Sequence, residues 1–406
     1  MRVLFADSSS PTTIEALEQR GHECVVEPDL TADDLAGRVE EFDVLVVRST
    51  KVTAEVIGAS DRLRLIVRAG AGTNTIDCDA AAERGVFVAN VPGRNSIAVA
   101  ELTLGLLLTL DRRIADNVAD LRAGRWDKKT YSSSQGLYGV TLAIVGLGDI
   151  GLEVAQRAAA FGIRVLALAK PGRSPRVRDR IDELDITLVE SLQELVESAD
   201  IVSLHVPAGA DTRGLVDAEF LGWMRTGAIL LNTSRGDVVD EAALLAAMES
   251  KGLRAGLDVY ADEPSGGRGE WTSELAQHPN VVGTHHIGAS TSQAQEAVAA
   301  GVVEVIDAFA QGRVKNCVNL APSRLGAVTI SVRHLDQVGV LAAVLDMLRQ
   351  ADLNVEQMEN RVFRGGTAAI ATMDVGGDVP DALIERLSAM PAVLSVSTAL
   401  LPSTTS

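Results

Sequence analysis

The chain has 406 residues, enough for several domains at roughly 100 to 200 residues each and too many for a small fold stapled by metal or disulfides. Its 37 Lys and Arg face 55 Asp and Glu, a formal charge of −18, which argues against nucleic acid or an anionic membrane as main partner because both select clustered cations. Hydrophobic residues at 47% and charged ones at 23% describe a globular chain, and aromatics at 3% leave Ala, Val, Leu and Ile to build the core.

Cys24, Cys78 and Cys317 are widely spaced and carry no ligand pattern, so neither a disulfide scaffold nor a metal site is expected. The start, MRVLFADSSS, runs from Met into a strand-like stretch without an apolar leader, and the longest apolar run, Leu102 to Leu110, is too short to span a bilayer. A cytoplasmic chain without a membrane segment is the expectation.

Short apolar runs at Val3 to Ala6, Val44 to Val47, Leu65 to Val67 and Val86 to Ala89 each lead through a polar or glycine break into an Ala/Leu/Glu-rich stretch. A strand covered on both faces is apolar throughout, so the alternation predicts a doubly wound parallel α/β sheet. A long apolar helix, Ser96 to Leu110, separates this set from a second one at Leu142 to Val145, Val165 to Ala169, Ile201 to Leu204, Ala228 to Leu231 and Ala255 to Val259. That helix is apolar on nearly every face, which predicts a subunit contact as well as a core role, and with it a homodimer or homotetramer. After Ala310 a Gly-Arg-Val-Lys-Asn link leads to Pro322 and then to a block in the order βαββαβ, a ferredoxin-like domain. The tail, Pro402 to Ser406, is small and polar and is expected to fray.

Gly146-Leu147-Gly148-Asp149-Ile150-Gly151 follows a predicted strand and opens a predicted helix. In that context the three glycines serve a tight turn, backbone approach to a pyrophosphate and helix packing, while the helix N-terminus supplies amides and partial positive charge. The second strand should end in an acid for the ribose 2′-hydroxyl of NAD, yet it ends Leu168-Ala169-Lys170. The cations Lys170, Arg173, Arg176 and Arg178 suit a 2′-phosphate, so NADP stands beside NAD as the expected cofactor.

Hydride transfer at a hydroxyl-bearing carbon needs a base for the hydroxyl proton and a cation for the adjacent carboxylate. Candidates are His286, oriented by Glu263, and Arg235, each in its own motif: His285 to Thr291, Leu257 to Pro264, and Asn232 to Gly236. Glu263 and His286 are far apart in sequence, so their pairing requires two strand-end loops to meet. Singly, each has a plain alternative as a surface turn residue, a solvated acid or a satisfied loop histidine.

These stretches, with Val47-Arg48-Ser49, Arg68 to Asn74 and Asp240-Glu241, resemble the D-2-hydroxyacid dehydrogenases, and within that family the branch that oxidises 3-phosphoglycerate at the entry to serine synthesis. The resemblance implies that Arg235, Glu263 and His286 are catalytic. It also implies that Asp258 reaches the nicotinamide, with His205, Pro207, Thr212 and Ser234 lining its pocket. Arg48, Ser49, Gly72 and Asn74 would bind substrate, and Arg48, Lys51 and Arg68 are candidates for reading its phosphate. The implied substrate domain is discontinuous, residues 1–95 and 286–318, with the dinucleotide-binding domain 96–285 inserted.

Residues 325–401, led by His334-Leu335-Asp336-Gln337-Val338-Gly339, resemble an ACT domain, which implies an amino-acid effector such as serine held by His334 and Asn354 across paired domains. Val338 and Asp336 depart from the residues usual there, which weakens serine as the ligand. Two alternatives stand beside this reading: a reductase of another short 2-oxo acid such as glyoxylate or hydroxypyruvate, and a dinucleotide-sensing regulatory protein.

Overall fold

The computed structural model describes residues 1–28, 30–264, 269–321 and 326–401, so Pro322 and the tail Pro402 to Ser406 lie outside the described residues. The chain divides into two units, Met1–Asn319 and Leu320–Ser406.

The first unit contains two parallel sheets. β1 (Arg2–Phe5), β2 (Glu23–Val26), β3 (Val44–Val47), β4 (Leu65–Arg68) and β5 (Phe87–Asn90) form a five-stranded sheet in the order 2-1-3-4-5. Its interior strands bury both faces. Leu4, Leu45, Ile66 and Val88 enter one cluster with Leu35, Val56 and Ile57, while Val3, Phe5, Val44, Leu65 and Ala89 enter another with Leu17, Val302 and Ile306. Val302 and Ile306 belong to the helix Ser292–Ala310, so the segment that follows the second sheet returns to cover the first.

The second sheet has seven strands: β6 (Thr141–Val145), β7 (Arg164–Leu168), β8 (Thr187–Val189), β9 (Ile201–Leu204), β10 (Ile229–Asn232), β11 (Arg254–Leu257) and β12 (Val281–Gly283), in the order 12-11-10-9-6-7-8. The helix Ser96–Arg112 buries Ala100, Leu104, Leu107 and Leu110 against Leu142, Ile144, Ile229 and Leu231 of this sheet. Its core role is therefore borne out, with ten of its residues buried. Exposed apolar side chains remain at Ile97 on this helix and at Ile114, Val118 and Leu121 on the next, Ile114–Arg122. Gly256 permits the close packing: a Cβ there would meet Leu231 at 2.8 Å and Leu106 at 3.1 Å.

Each sheet has one place where the chain reverses its direction of winding, between β1 and β3 in the first and between β6 and β9 in the second. In open α/β sheets a crevice opens there beyond the carboxyl ends of the strands.

The second unit is a four-stranded antiparallel sheet, β13 (Val328–Leu335), β14 (Val355–Val362), β15 (Ala368–Val375) and β16 (Val393–Leu400), in the order 14-15-13-16. Helices Val340–Gln350 and Asp381–Ser388 bury Val344, Leu348, Leu383 and Leu387 in one core with Ile330, Val332, Ala371 and Met373. The βαββαβ order matches the sequence pattern.

Among the described residues no helix is long and apolar enough to cross a membrane.

Candidate active site

The site residues follow the carboxyl ends of seven parallel strands. Arg48 and Ser49 follow β3, Arg68 ends β4, the glycine loop follows β6, His205 follows β9, Ser234 and Arg235 follow β10, Asp258 follows β11 and His286 follows β12. The two sheets' loops touch: a Cβ on Gly72 would lie 2.3 Å from Arg235 Nη2 and 3.3 Å from Asn74 Oδ1.

His286 and Glu263 meet as the chemistry requires, with His286 Nδ1 2.7 Å from Glu263 Oε1. Local structure fixes both. His286 sits in the left-handed region at φ 52°, its backbone N–H donating to the Asp258 carbonyl at 2.8 Å. The Asp258 side chain is buried and accepts from Thr284 Oγ1 at 2.6 Å and from the Ile287 and Gly288 amides at 2.8 Å each. Asp258 thus clamps the histidine loop through the bonds its carboxylate makes. On the other side, Glu241 Oε1 accepts from the Ala261 N–H at 2.8 Å. Gly236 lets its own turn press on the Tyr260–Ala261 backbone, where a Cβ would come within 2.0 Å of the Tyr260 carbonyl. Tyr260 is buried there, which pushes its phenol up to about 12.

Arg235 is shaped by Asn232, whose Nδ2 donates to the Arg235 carbonyl at 2.8 Å and whose Oδ1 accepts from Ser234 N and Oγ at 3.0 and 2.7 Å. The Ser234 hydroxyl is therefore spent inside the turn. Arg235 Nη1 donates to the Ser234 carbonyl at 2.6 Å.

At the reversal point of the first sheet stands Asp7, which the sequence reading did not single out. It receives hydrogen bonds from Arg48 N at 2.6 Å, Ser49 N and Thr50 N at 3.2 Å and Ser49 Oγ at 2.7 Å. Burial alone would raise its carboxyl; these donors outweigh burial and hold it below the usual carboxylate range. Its signal in sequence was its place, directly after a buried strand.

Arg68 is the least accommodated cation. Its guanidinium lies over Gly70, where a Cβ would come within 1.5 Å of Nη1, and its Nε is buried without a hydrogen-bond partner. Burial first, then the positive charges of Arg235 and Arg48, pull it down to about 10 despite the attraction of Asp7, so it stays charged at neutral pH. Among the described residues none of Arg48, Arg68 and Arg235 enters an ion pair, whereas Arg62 and Arg64 both pair with Asp43. Three guanidiniums converging on one cleft make a strongly anion-seeking site. Lys51 is exposed.

The second crevice has the shape a dinucleotide needs. Gly146 is left-handed at φ 102°, and a Cβ on it would lie 2.3 Å from the His205 carbonyl. A Cβ on Gly151 would lie 2.3 Å from the Gly146 carbonyl, while Gly148 faces open space at the start of the helix Asp149–Ala160, with Ile150 half-buried behind it. His205 Nε2 lies 2.8 Å from Ser203 Oγ, its Nδ1 is buried without a partner, and burial pushes its pKa down to about 4, keeping it neutral. Thr212 Oγ1 donates to the Pro207 carbonyl at 2.6 Å, closing that loop. Of the four cations after β7, Arg173 donates to the Leu168 carbonyl and Arg176 pairs with Asp149, while Lys170 and Arg178 are exposed.

In the second unit His334 is 1% exposed, with Nδ1 donating to the Leu335 carbonyl at 2.8 Å and Nε2 facing the Asn360 amide at 3.2 Å. Asn354 Nδ2 donates to Glu356 at 2.9 Å. His334 lies opposite Ala369 whereas Asn354 precedes Val355, opposite Val375. Six residues of strand, roughly 20 Å, thus separate the two within one unit.

Residues 104–288 match the family described as D-isomer specific 2-hydroxyacid dehydrogenase, NAD binding domain. The chain is 38% identical over 354 residues to D-3-phosphoglycerate dehydrogenase of Methanocaldococcus jannaschii, a match covering 85% of this chain and 65% of that protein. It thus spans about two thirds of that relative's length. It is 42% identical over 286 residues to hydroxypyruvate reductase of Thermotoga maritima, covering 70% of this chain and 89% of that one. The crystal structure of D-lactate dehydrogenase from Aquifex aeolicus complexed with NAD and lactic acid superposes with a TM-score of 0.67 at 26% identity, over 79% of this chain and 100% of that one.

Proposed function

The chain belongs to the D-isomer specific 2-hydroxyacid dehydrogenase family, and from that premise we propose that it interconverts 3-phosphoglycerate and 3-phosphohydroxypyruvate with a nicotinamide dinucleotide, the entry step of serine synthesis. The observation that carries the substrate is the convergence of Arg48, Arg68 and Arg235 without ion-pair partners among the described residues. A phosphorylated hydroxy acid brings a carboxylate and a phosphate to that cluster; an unphosphorylated one leaves Arg68 buried and uncompensated.

The nicotinamide, when bound, accepts or returns the hydride at C2. Arg235 holds the substrate carboxylate, with the backbone around Gly72 and Asn74 beside it, and Arg48, Ser49 and Arg68 face the phosphate. His286 gives its Nδ1–H to Glu263, which leaves Nε2 as the nitrogen that takes the C2 hydroxyl proton during oxidation. Glu263 orients the ring and offsets the positive charge that forms on it. In reduction the imidazolium returns that proton to the carbonyl oxygen. Asp258 positions the His286 loop in this reading. The glycine loop, Gly146 to Gly151, receives the dinucleotide, with His205, Pro207, Thr212 and Ser234 along the pocket wall. NAD is the coenzyme the family implies, and Lys170 and its neighbours extend the reading to NADP.

The second unit serves as an ACT domain for an amino-acid effector such as serine, a reading supported by its βαββαβ order and the His334 to Gly339 lead. Because His334 and Asn354 lie apart in one unit, a shared ligand would need a second copy of the chain, in a homodimer or homotetramer.

The similarity to hydroxypyruvate reductase favours a second reading, reduction of an unphosphorylated 2-oxo acid. Oxidation of NADH and of NADPH, with phosphohydroxypyruvate, hydroxypyruvate and glyoxylate in separate assays, decides between them. Turnover of phosphohydroxypyruvate at the highest kcat/KM, reduced about a thousandfold or more in His286→Ala, is expected. Preference for glyoxylate or hydroxypyruvate would establish the second reading, and no turnover at all would leave a dinucleotide-sensing protein.

A further inference from the structure

The coenzyme crevice contains an ion pair beside the glycine loop. Asp149, first residue of the helix Asp149–Ala160, accepts from the guanidinium of Arg176 on the helix Pro175–Glu183. An acid in a helix's first turn suits the helix dipole, yet here it stands beside the amides that would receive a pyrophosphate, where its charge opposes the ligand's. Arg176 follows the end of β7, the place over which an adenosine ribose lies in this architecture. Its guanidinium therefore bridges from the ribose end of the crevice to the phosphate end. The carboxylate packs against Gly93, at φ 75°, which leaves room for it: a Cβ there would lie 2.9 Å from Asp149 Oδ2. The arginine is the more exposed partner, 67% against 42%.

We propose that Asp149 and Arg176 form a coenzyme-discriminating pair, in which Arg176 reads a 2′-phosphate and the Asp149 carboxylate competes with that phosphate for it. The inference rests on the reading of this crevice as a nicotinamide dinucleotide site. NAD binds with the pair intact and Asp149 neutralised. NADP binds by drawing Arg176 off Asp149, exchanging one anion for another with geometry suited to a planar guanidinium. Arg173 is less able to do this, since its guanidinium already serves the Leu168 carbonyl. Without an acid after β7 nothing there excludes the phosphate, so Asp149 takes over part of the discrimination from a different position.

Calorimetric titration of the whole chain with NAD and with NADP, in wild type, Asp149→Asn, Arg176→Gln and the double variant, tests the pair without relying on turnover. Asp149→Asn is expected to shift the ratio of the two dissociation constants about threefold toward NADP. Arg176→Gln should shift it about tenfold the other way. In the Arg176→Gln background the Asp149 substitution should leave the ratio unmoved. An Asp149 effect that persists without Arg176, or an Arg176 substitution that weakens both coenzymes equally, overturns the proposal while leaving the dinucleotide site standing. Failure of wild type to bind either coenzyme would overturn the reading beneath it, and the pair's role with it.

Discussion

In the proposed function, Arg68 is the side chain on which substrate choice turns. Its charge is buried beside two others of the same sign, a cost that Asp7 offsets in part and that an anion in the cleft would relieve further. Arg68→Gln should therefore raise KM for phosphohydroxypyruvate by about ten- to a hundredfold while changing KM for glyoxylate little, the two being compared by initial rates. Equal losses on both would assign Arg68 to the fold. The sequence already showed Arg48, Arg68 and Arg235 as cations in separate motifs, but that they share one cleft was invisible to local pattern, as was the Asp7 carboxylate that gathers residues 48–50. His205 offers a test by pH. Its folded value of about 4 lies below the ordinary 6.5, so as pH falls below 6.5 the unfolded chain takes a proton the folded chain refuses. Stability is then lost between pH 6.5 and 4, by about 2 kcal/mol at pH 5. Urea unfolding at pH 7 and pH 5 should show that loss shrinking in His205→Gln; an identical loss in both proteins would mean that other groups carry the acid sensitivity.

At the scale of elements, the interior strands were legible because both their faces are buried. Val44 to Val47 and Ile201 to Leu204 coincide with β3 and β9 to the residue. The strands that pattern reading missed, β2, β8 and β12, all stand at sheet edges, short and partly exposed, so their sequences lack the continuous apolar run. The turn after β10 could be found as a motif, but the need for Gly236 comes from the Tyr260–Ala261 backbone pressing on it from a distant segment. Gly236→Ala should push that backbone away and carry Glu263 off His286. The expected result is a fall in kcat of tenfold or more with a lowered Tm, whereas a fall in Tm with normal kcat would show that the Glu263 loop is anchored elsewhere, for instance by Glu241.

For the whole molecule, the four clusters that make the cores of the parallel sheets draw on Met1–Asn319, and the fifth lies wholly within Leu320–Ser406. Each unit thus has the means to fold around its own interior, and the residues gathered at the candidate active site all belong to the first. A chain ending at Asn319 should keep its turnover of phosphohydroxypyruvate within about twofold of full length, since no buried core is cut. If the second unit reads serine, millimolar serine should slow the full-length chain and leave the shortened one unaffected. His334 and Asn354 then separate by kind of failure. His334 is buried with both ring nitrogens engaged, so His334→Ala should lower the unfolding free energy of the second unit by about 1 to 3 kcal/mol. Asn354 is exposed, and Asn354→Ala should weaken the serine response at unchanged stability. Equal rates with and without serine in the full-length chain would remove serine as its effector and favour a role in assembly, which sedimentation of the two chain lengths would test as a difference in oligomeric state.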